Sequence, residues 1–118
     1  MSQHLGEFEQ LLLFALLHAG DDAHGVTIRN VIEEKTGRVV SPGAIYTALE
    51  RLAGRGFVHA EIGDSTPARG GRRRKLYRLE AAGAEALQRS FSTLTQMAEG
   101  LETELEAMAG ADRRSAQR

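Results

Sequence analysis

The segment Gly37-Arg38-Val39-Val40-Ser41-Pro42 constrains the fold more than any other, because it stops one helix and starts the next. Gly37 supplies a left-handed stop to a helical pattern that runs from about Gly25 to Thr36. Ser41 can cap the following helix by accepting from exposed backbone N–H groups, and Pro42 fits the first helical position, where no donor is lost. Ahead of the turn Ile28, Val31 and Ile32 face inward, with Arg29, Asn30, Glu33 and Glu34 outward. Behind it Ile45, Leu49 and Leu52 share one side, which leaves Gly43, Tyr46, Thr47, Glu50 and Arg51 on or near the other. Gly56 followed by Phe57 closes that helix.

A hairpin follows. Val58, Ala60 and Ile62 alternate with His59 and Glu61 as a half-buried strand, Gly63 to Arg74 with Pro67 inside reads as a loop, and Lys75 to Leu79 returns. Two helices joined by a turn of about four residues and followed by a two-stranded hairpin spell a winged helix-turn-helix. The fold class is therefore mainly α with a small β-hairpin.

The two ends of the chain point to a partner. From Leu5 to Ala19, the residues Leu5, Phe8, Leu12, Ala15 and Leu16 form one stripe, while Leu11, Leu13, Phe14 and Leu17 carry hydrophobicity around most of the circumference. Such a helix must be buried on more than one side, and a chain of 118 residues has too little material to surround it. Gly20-Asp21-Asp22 ends it. Beyond Glu80, Leu87, Phe91, Leu94, Ala98, Leu101, Leu105 and Met108 recur at alternating steps of four and three, a heptad seam. It extends for roughly 30 Å, more than a small winged domain covers, so the chain is expected to be a homodimer through one long C-terminal helix. The flanking positions lack the opposite-charge pairs of an autonomous zipper. The helix should then pack across its mate and against the first helix of the other subunit, through Leu5, Phe8, Leu12, Leu87, Phe91, Leu94, Ala98, Leu101 and Leu105. Gly100 lies off the seam and costs about 1 kcal/mol of helix propensity. Residues 1–79 thus form the winged domain and 80–109 the dimerisation helix, with 110–118 a polar tail expected to be disordered.

Net charge is −1, so a nucleic-acid partner must rest on uneven distribution. Between Arg69 and Arg78 there are six basic residues and no acidic one, whereas from Glu80 to Glu106 six glutamates face only Arg89. Arg72, Arg73, Arg74 and Lys75 beside the Gly70-Gly71 hinge suit a phosphate backbone, although some charges in such a run are merely solvated. At the start of the capped helix Ser41, Gly43, Tyr46 and Thr47 can reach a major groove. Tyr46 could equally be a partly buried packing residue, and Ser41 purely a cap. Arg29 and Arg51 either touch phosphates or pair within their helices, as Arg29 with Glu33.

Other function classes find little support. The absence of cysteine removes disulfides, thiolate catalysis and cysteine-based zinc sites. His4, His18, His24 and His59 are scattered, no Ser/His/Asp order appears, and Gly70-Gly71-Arg72 lacks the Lys-Ser/Thr ending of a P-loop. No enzyme, cofactor or metal is expected. No segment approaches the roughly 20 apolar residues of a membrane span, and a soluble, cytoplasmic protein is expected. The competing class is a non-enzymatic dimeric interaction module whose basic wing meets RNA or an acidic protein.

The chain resembles the PadR-type transcriptional regulators over about Leu5 to Leu87. The resemblance is carried by Leu5-Gly6-Glu7-Phe8-Glu9, by His24-Gly25-Val26, by Ser41-Pro42-Gly43-Ala44-Ile45-Tyr46-Thr47-Ala48-Leu49-Glu50-Arg51-Leu52, and by Gly70-Gly71-Arg72-Arg73 with Tyr77-Arg78-Leu79. A single C-terminal helix is similar to the short subclass. The resemblance implies a homodimeric repressor of a palindromic operator, released by a small hydrophobic effector. Phe8, Phe91 and Leu94 are the candidate effector site. The chain departs from multidrug-sensing members in having no tryptophan, with Leu94 in the comparable stretch, and His24 stands where many relatives carry tyrosine.

Overall fold

The computed structural model describes residues 4–63 and 74–116, with side chains as far as Ala111. In chain order they form α1 (Glu7–Ala19), a 3-10 turn (Gly20–Asp22), α2 (Gly25–Thr36), α3 (Pro42–Gly54), β1 (Val58–Ile62), β2 (Lys75–Leu79), α4 (Ala81–Ala98) and α5 (Glu102–Ala116). The winged helix-turn-helix expected from the sequence is present.

The helix boundaries follow from local chemistry. Glu9 Oε1 accepts from the Gly6 N–H at 2.9 Å to start α1, and Thr27 Oγ1 accepts from the His24 N–H at 3.1 Å to start α2. Gly37, with φ 75°, stops α2. Ser41 Oγ accepts from the Ala44 N–H at 3.2 Å, with Pro42 behind it, as expected for α3. At the far end of α3 the Gly56 N–H donates to Ala53 O and the Phe57 N–H to Leu52 O, both at 3.0 Å. That paired closure turns the chain so that Phe57 enters the core.

Leu12, Leu13 and Leu16 of α1, Ile28 and Ile32 of α2, Ile45, Leu49 and Leu52 of α3, and Tyr77 of β2 build one core. β1 and β2 are antiparallel, registered from Val58 opposite Leu79 to Ile62 opposite Lys75. The Tyr77 N–H also donates to Ala23 O at 2.8 Å, fastening the wing to the connection between α1 and α2. Of the apolar β1 residues expected to be half-buried, Val58 is buried, whereas Ala60 and Ile62 are exposed. Only the inner end of the strand, at Val58, reaches the core.

α4 is joined closely to the root of the wing. The Glu80 N–H donates to Phe57 O at 2.9 Å, and the backbones come so near at Gly83 that a Cβ there would lie 2.2 Å from Phe57 O. Further along, Ser90 Oγ accepts from the Leu5 N–H at 3.1 Å, pinning the entry to α1.

Two expectations are corrected here. The single C-terminal helix is two helices, because α4 ends at Ala98 and Gly100 takes φ +84°, a left-handed value that only glycine adopts freely. α5 then continues to Ala116, past Gly110. Second, Leu5, Leu12 and Leu87 are buried inside the protomer. α1 packs on α2, α3, α4 and β2 of its own chain, so these three offer no surface to a partner.

Candidate nucleic-acid interface

Core packing of Ile45, Ala48, Leu49 and Leu52 orients α3. Gly43, Thr47 and Glu50 then form a line at steps of four and three on the opposite, exposed face. Tyr46 flanks this line with its ring over the start of α2, where a Cβ at Gly25 would lie 2.8 Å from the Tyr46 hydroxyl. It is 45 % exposed, so it both packs and presents its hydroxyl. Gly25, Val26, Arg29, Pro42 and Ile45 surround the ring in a cleft of about 150 Å³. Ser41 acts as the cap, its oxygen occupied by the Ala44 N–H. Arg51, Thr47 and Gly43 line an open cleft whose other wall is Gly6 to Glu9. The carboxylates on that wall are paired, Glu7 with Arg38 at 3.0 Å and Glu9 with Arg55 at 3.2 Å.

The wing lies beside this face. Lys75 Nζ donates to Glu50 Oε1 at 3.0 Å, and the Tyr77 hydroxyl donates to the same oxygen at 3.4 Å. The Lys75 hydrogen bond holds the Glu50 carboxyl below its ordinary range, and the same bond raises Lys75. Burial is the main cause that raises the Tyr77 phenol. Arg74 pairs with Asp22 at 3.4 Å. Both cations are thus engaged within the protein, in half-exposed pairs that exchange readily with other anions. Arg78, in the same basic run, has a structural task, since its guanidinium donates to Gly20 O at 2.9 Å and Asp21 O at 3.1 Å at the end of α1. Arg72 and Arg73 lie outside the described residues.

At the wing root His59 stands between two carboxylates, with Nε2 at 3.1 Å from Glu61 and Nδ1 at 2.6 Å from Glu80. Its hydrogen bond to Glu61 is the largest cause raising the imidazole, and the same contact lowers Glu61. The sequence did not single out this cluster, because its members come from β1 and the start of α4. Glu50 stands on the exposed side of α3, outside the binding residues that the sequence points to. Its seven-residue spacing from Gly43 was the available signal. Among the described residues no group of three or more His, Asp or Glu could hold a metal ion, and no helix is long and apolar enough to cross a membrane.

Of the seam residues, Phe91, Leu94, Leu101 and Leu105 are exposed and Ala98 is partly buried, as is Phe8 of α1. Phe14 of α1 meets Phe91 edge-on at 5.7 Å between centroids. With Leu17, Met97 and Met108 they leave a large apolar surface along α1, α4 and α5. The effector trio is not gathered at one place. Phe8 lines the cleft beside α3, whereas Phe91 lies against Phe14, six residues further along α1 and on another side of it.

The family model described as the transcriptional regulator PadR-like family matches residues 13–89. Among solved structures, a transcriptional regulator from Thermoplasma acidophilum is similar with 26 % identity and a TM-score of 0.64, covering 82 % of this chain and 90 % of that one. A PadR family regulator from Clostridium difficile shares 21 % identity with a TM-score of 0.65, covering 83 % and 98 %. A PadR-like regulator from Bacillus cereus shares 19 % identity with a TM-score of 0.67, covering 83 % and 90 %. No curated protein matches the chain in sequence.

Proposed function

This chain belongs to the transcriptional regulator PadR-like family, and we propose that it is a sequence-specific, duplex-binding repressor acting as a homodimer on a palindromic operator. The observation that carries the proposal is the contact between Lys75 and Glu50, which sets the first residue of β2 against the exposed line Gly43, Thr47 and Glu50 of α3. A helix start aimed at base edges beside a cationic arm suits division of labour between reading and gripping. Gly43 permits close approach, and Thr47 can donate, accept or touch a thymine methyl. Ser41, Tyr46, Arg51, Arg72, Arg73, Arg74 and Lys75 serve phosphates, with the Tyr46 hydroxyl also within reach of a base.

The exposed apolar surface from Phe14 and Leu17 to Phe91, Leu94, Leu101 and Leu105 supports a second copy as partner. Two-fold symmetry would set the α3 helices about 34–36 Å apart, one turn of duplex. A small hydrophobic effector wedged into that surface beside Phe91 and Leu94 would shift operator affinity by favouring one arrangement of the pair.

The test is a titration of the full chain against duplex from the upstream region of its own transcription unit, random duplex and single-stranded RNA. Tight binding to an inverted repeat in the upstream duplex is the expected result. Equal or tighter binding to RNA would replace this function with an RNA-binding one. Repeating the titration with phenolic compounds and dyes tests release, and affinity unchanged by every compound removes the effector from the proposal.

A further inference from the structure

Glu50 is an awkward residue for a face that meets a polyanion. It sits two helical turns from Gly43 on the line farthest from the core, so a duplex engaged by Gly43 and Thr47 comes up against it as well. An unpaired carboxylate there repels phosphates and the acceptor atoms of guanine and thymine. In the free protein it is held by Lys75 Nζ at 3.0 Å and the Tyr77 hydroxyl at 3.4 Å. Lys75 is itself a wing cation that duplex phosphates would attract. Once Lys75 moves to phosphate, Glu50 keeps only a long bond to Tyr77 and needs a new donor in front of α3.

The major groove presents two amino donors, cytosine N4 and adenine N6, and of these cytosine N4 suits a carboxylate better, because the N7 acceptor beside adenine N6 repels it. We infer that Glu50 is a specificity-determining residue of the duplex-binding face, accepting from a cytosine N4 in each half-site and rejecting bases that present only acceptors there. The inference rests on the duplex-binding function proposed above. Lys75 is the positioning residue, holding Glu50 in place until phosphate replaces it. The pair then acts as a filter. Every duplex attracts the wing, but only one with the right base compensates the carboxylate that the wing leaves behind. The basic run alone, by contrast, cannot discriminate, because phosphates carry no sequence information.

The experiment is selection of binding sites from a randomised duplex pool by the wild type, Glu50→Ala, Glu50→Gln and Lys75→Gln. Each protein is then titrated on the selected site and on random duplex at low salt. The wild type should require cytosine at one position per half-site, with about tenfold discrimination there. Glu50→Ala should lose that single preference, keep the others, and bind random duplex about tenfold more tightly. Glu50→Gln should move the preference toward adenine, which offers N6 and N7 to an amide. Lys75→Gln should weaken binding to all duplexes while keeping the cytosine. Thermal melts check that each variant is folded.

The same selected bases for Glu50→Ala as for the wild type would overturn the inference alone. So would equal weakening on every sequence, the behaviour of a strut that only steadies the wing. Failure of the wild type to select any duplex would remove the duplex-binding function, and this assignment with it.

Discussion

Replacing Gly83 with alanine sets two effects of opposite sign against each other. Gly83 is the third residue of α4, and alanine is favoured over glycine in a helix by at most about 1 kcal/mol. Steric contact works the other way. The added Cβ would lie 2.2 Å from Phe57 O, 2.8 Å from Leu79 Cδ1 and 3.0 Å from Phe57 C. Two of those three atoms are backbone, so a rotamer change cannot relieve them. α4 must retreat by about 1 Å to restore an ordinary carbon–oxygen contact. Retreat stretches the 2.9 Å bond from the Glu80 N–H to Phe57 O, whose net worth is about 1 kcal/mol. It also loosens Ala86, Leu87 and Ser90, all buried. Overpacking of this kind costs about 1–3 kcal/mol. With the propensity gain subtracted, Gly83→Ala should destabilise by about 2 kcal/mol and lower Tm by roughly 10 °C. Gly54→Ala is the control, since among the described residues nothing outside its own helix turn lies within 4 Å of a Cβ built there, and its Tm should be unchanged or slightly raised. The assay is circular dichroism melting at one protein concentration, because self-association would make Tm concentration-dependent. A Gly83→Ala Tm equal to or above that of the wild type would refute the close approach of α4 to the wing root.

Three further outcomes are expected. Ser41→Ala removes the oxygen that accepts from the Ala44 N–H and should destabilise by about 1 kcal/mol, read as a lowered midpoint in urea with unchanged slope. His59 has a raised pKa in the folded protein, first from its hydrogen bond to Glu61. Its stabilising contribution is therefore complete below its unfolded pKa of about 6.5, and is lost as pH rises through the folded value. The Tm difference between wild type and His59→Gln should shrink from pH 6 to pH 8, and a difference that grows would reverse the sign of this assignment. Leu94→Asp, at a position 57 % exposed, should leave the monomer folded but give a sedimentation coefficient of a single chain; a coefficient equal to that of the wild type would take Leu94 out of the proposed interface.

The elements of the helix-turn-helix were legible in the sequence because each boundary is local. Gly37, Ser41-Pro42 and Gly56-Phe57 act on the nearest few backbone groups, and the structure places α2 and α3 between them. The C-terminal half was less legible. The seam continues in step through Gly100, and periodicity carries no record of whether glycine continues a helix or leaves it. That Leu5, Leu12 and Leu87 are covered by their own chain was invisible for a different reason. An apolar stripe states that something covers it, not whether the cover belongs to the same chain. At the interface, residue types pointed to Gly43, Tyr46, Thr47 and the wing cations, because charge and small size are local properties. The pairs between Lys75 and Glu50 and between Arg74 and Asp22 join residues far apart in sequence, and pattern alone does not reveal them.

The close seat of α4 on the wing root has a mechanical consequence. With Gly83 against Phe57 and Ser90 against Leu5, α4 is fixed to the winged helix-turn-helix, the reading head, at two points, and in the proposed dimer the two would act as one lever. α4 has 18 residues, so the lever arm is about 27 Å. In the proposed dimer, tilting α4 by roughly 10° at its seam end would swing the head by about 5 Å, more than the 3.4 Å between successive base pairs. Slack is available beyond Ala98, where the chain bends at Gly100, and hardly at all before it. A rearrangement too small to break the seam would thus be large enough to take the two heads out of step with the duplex.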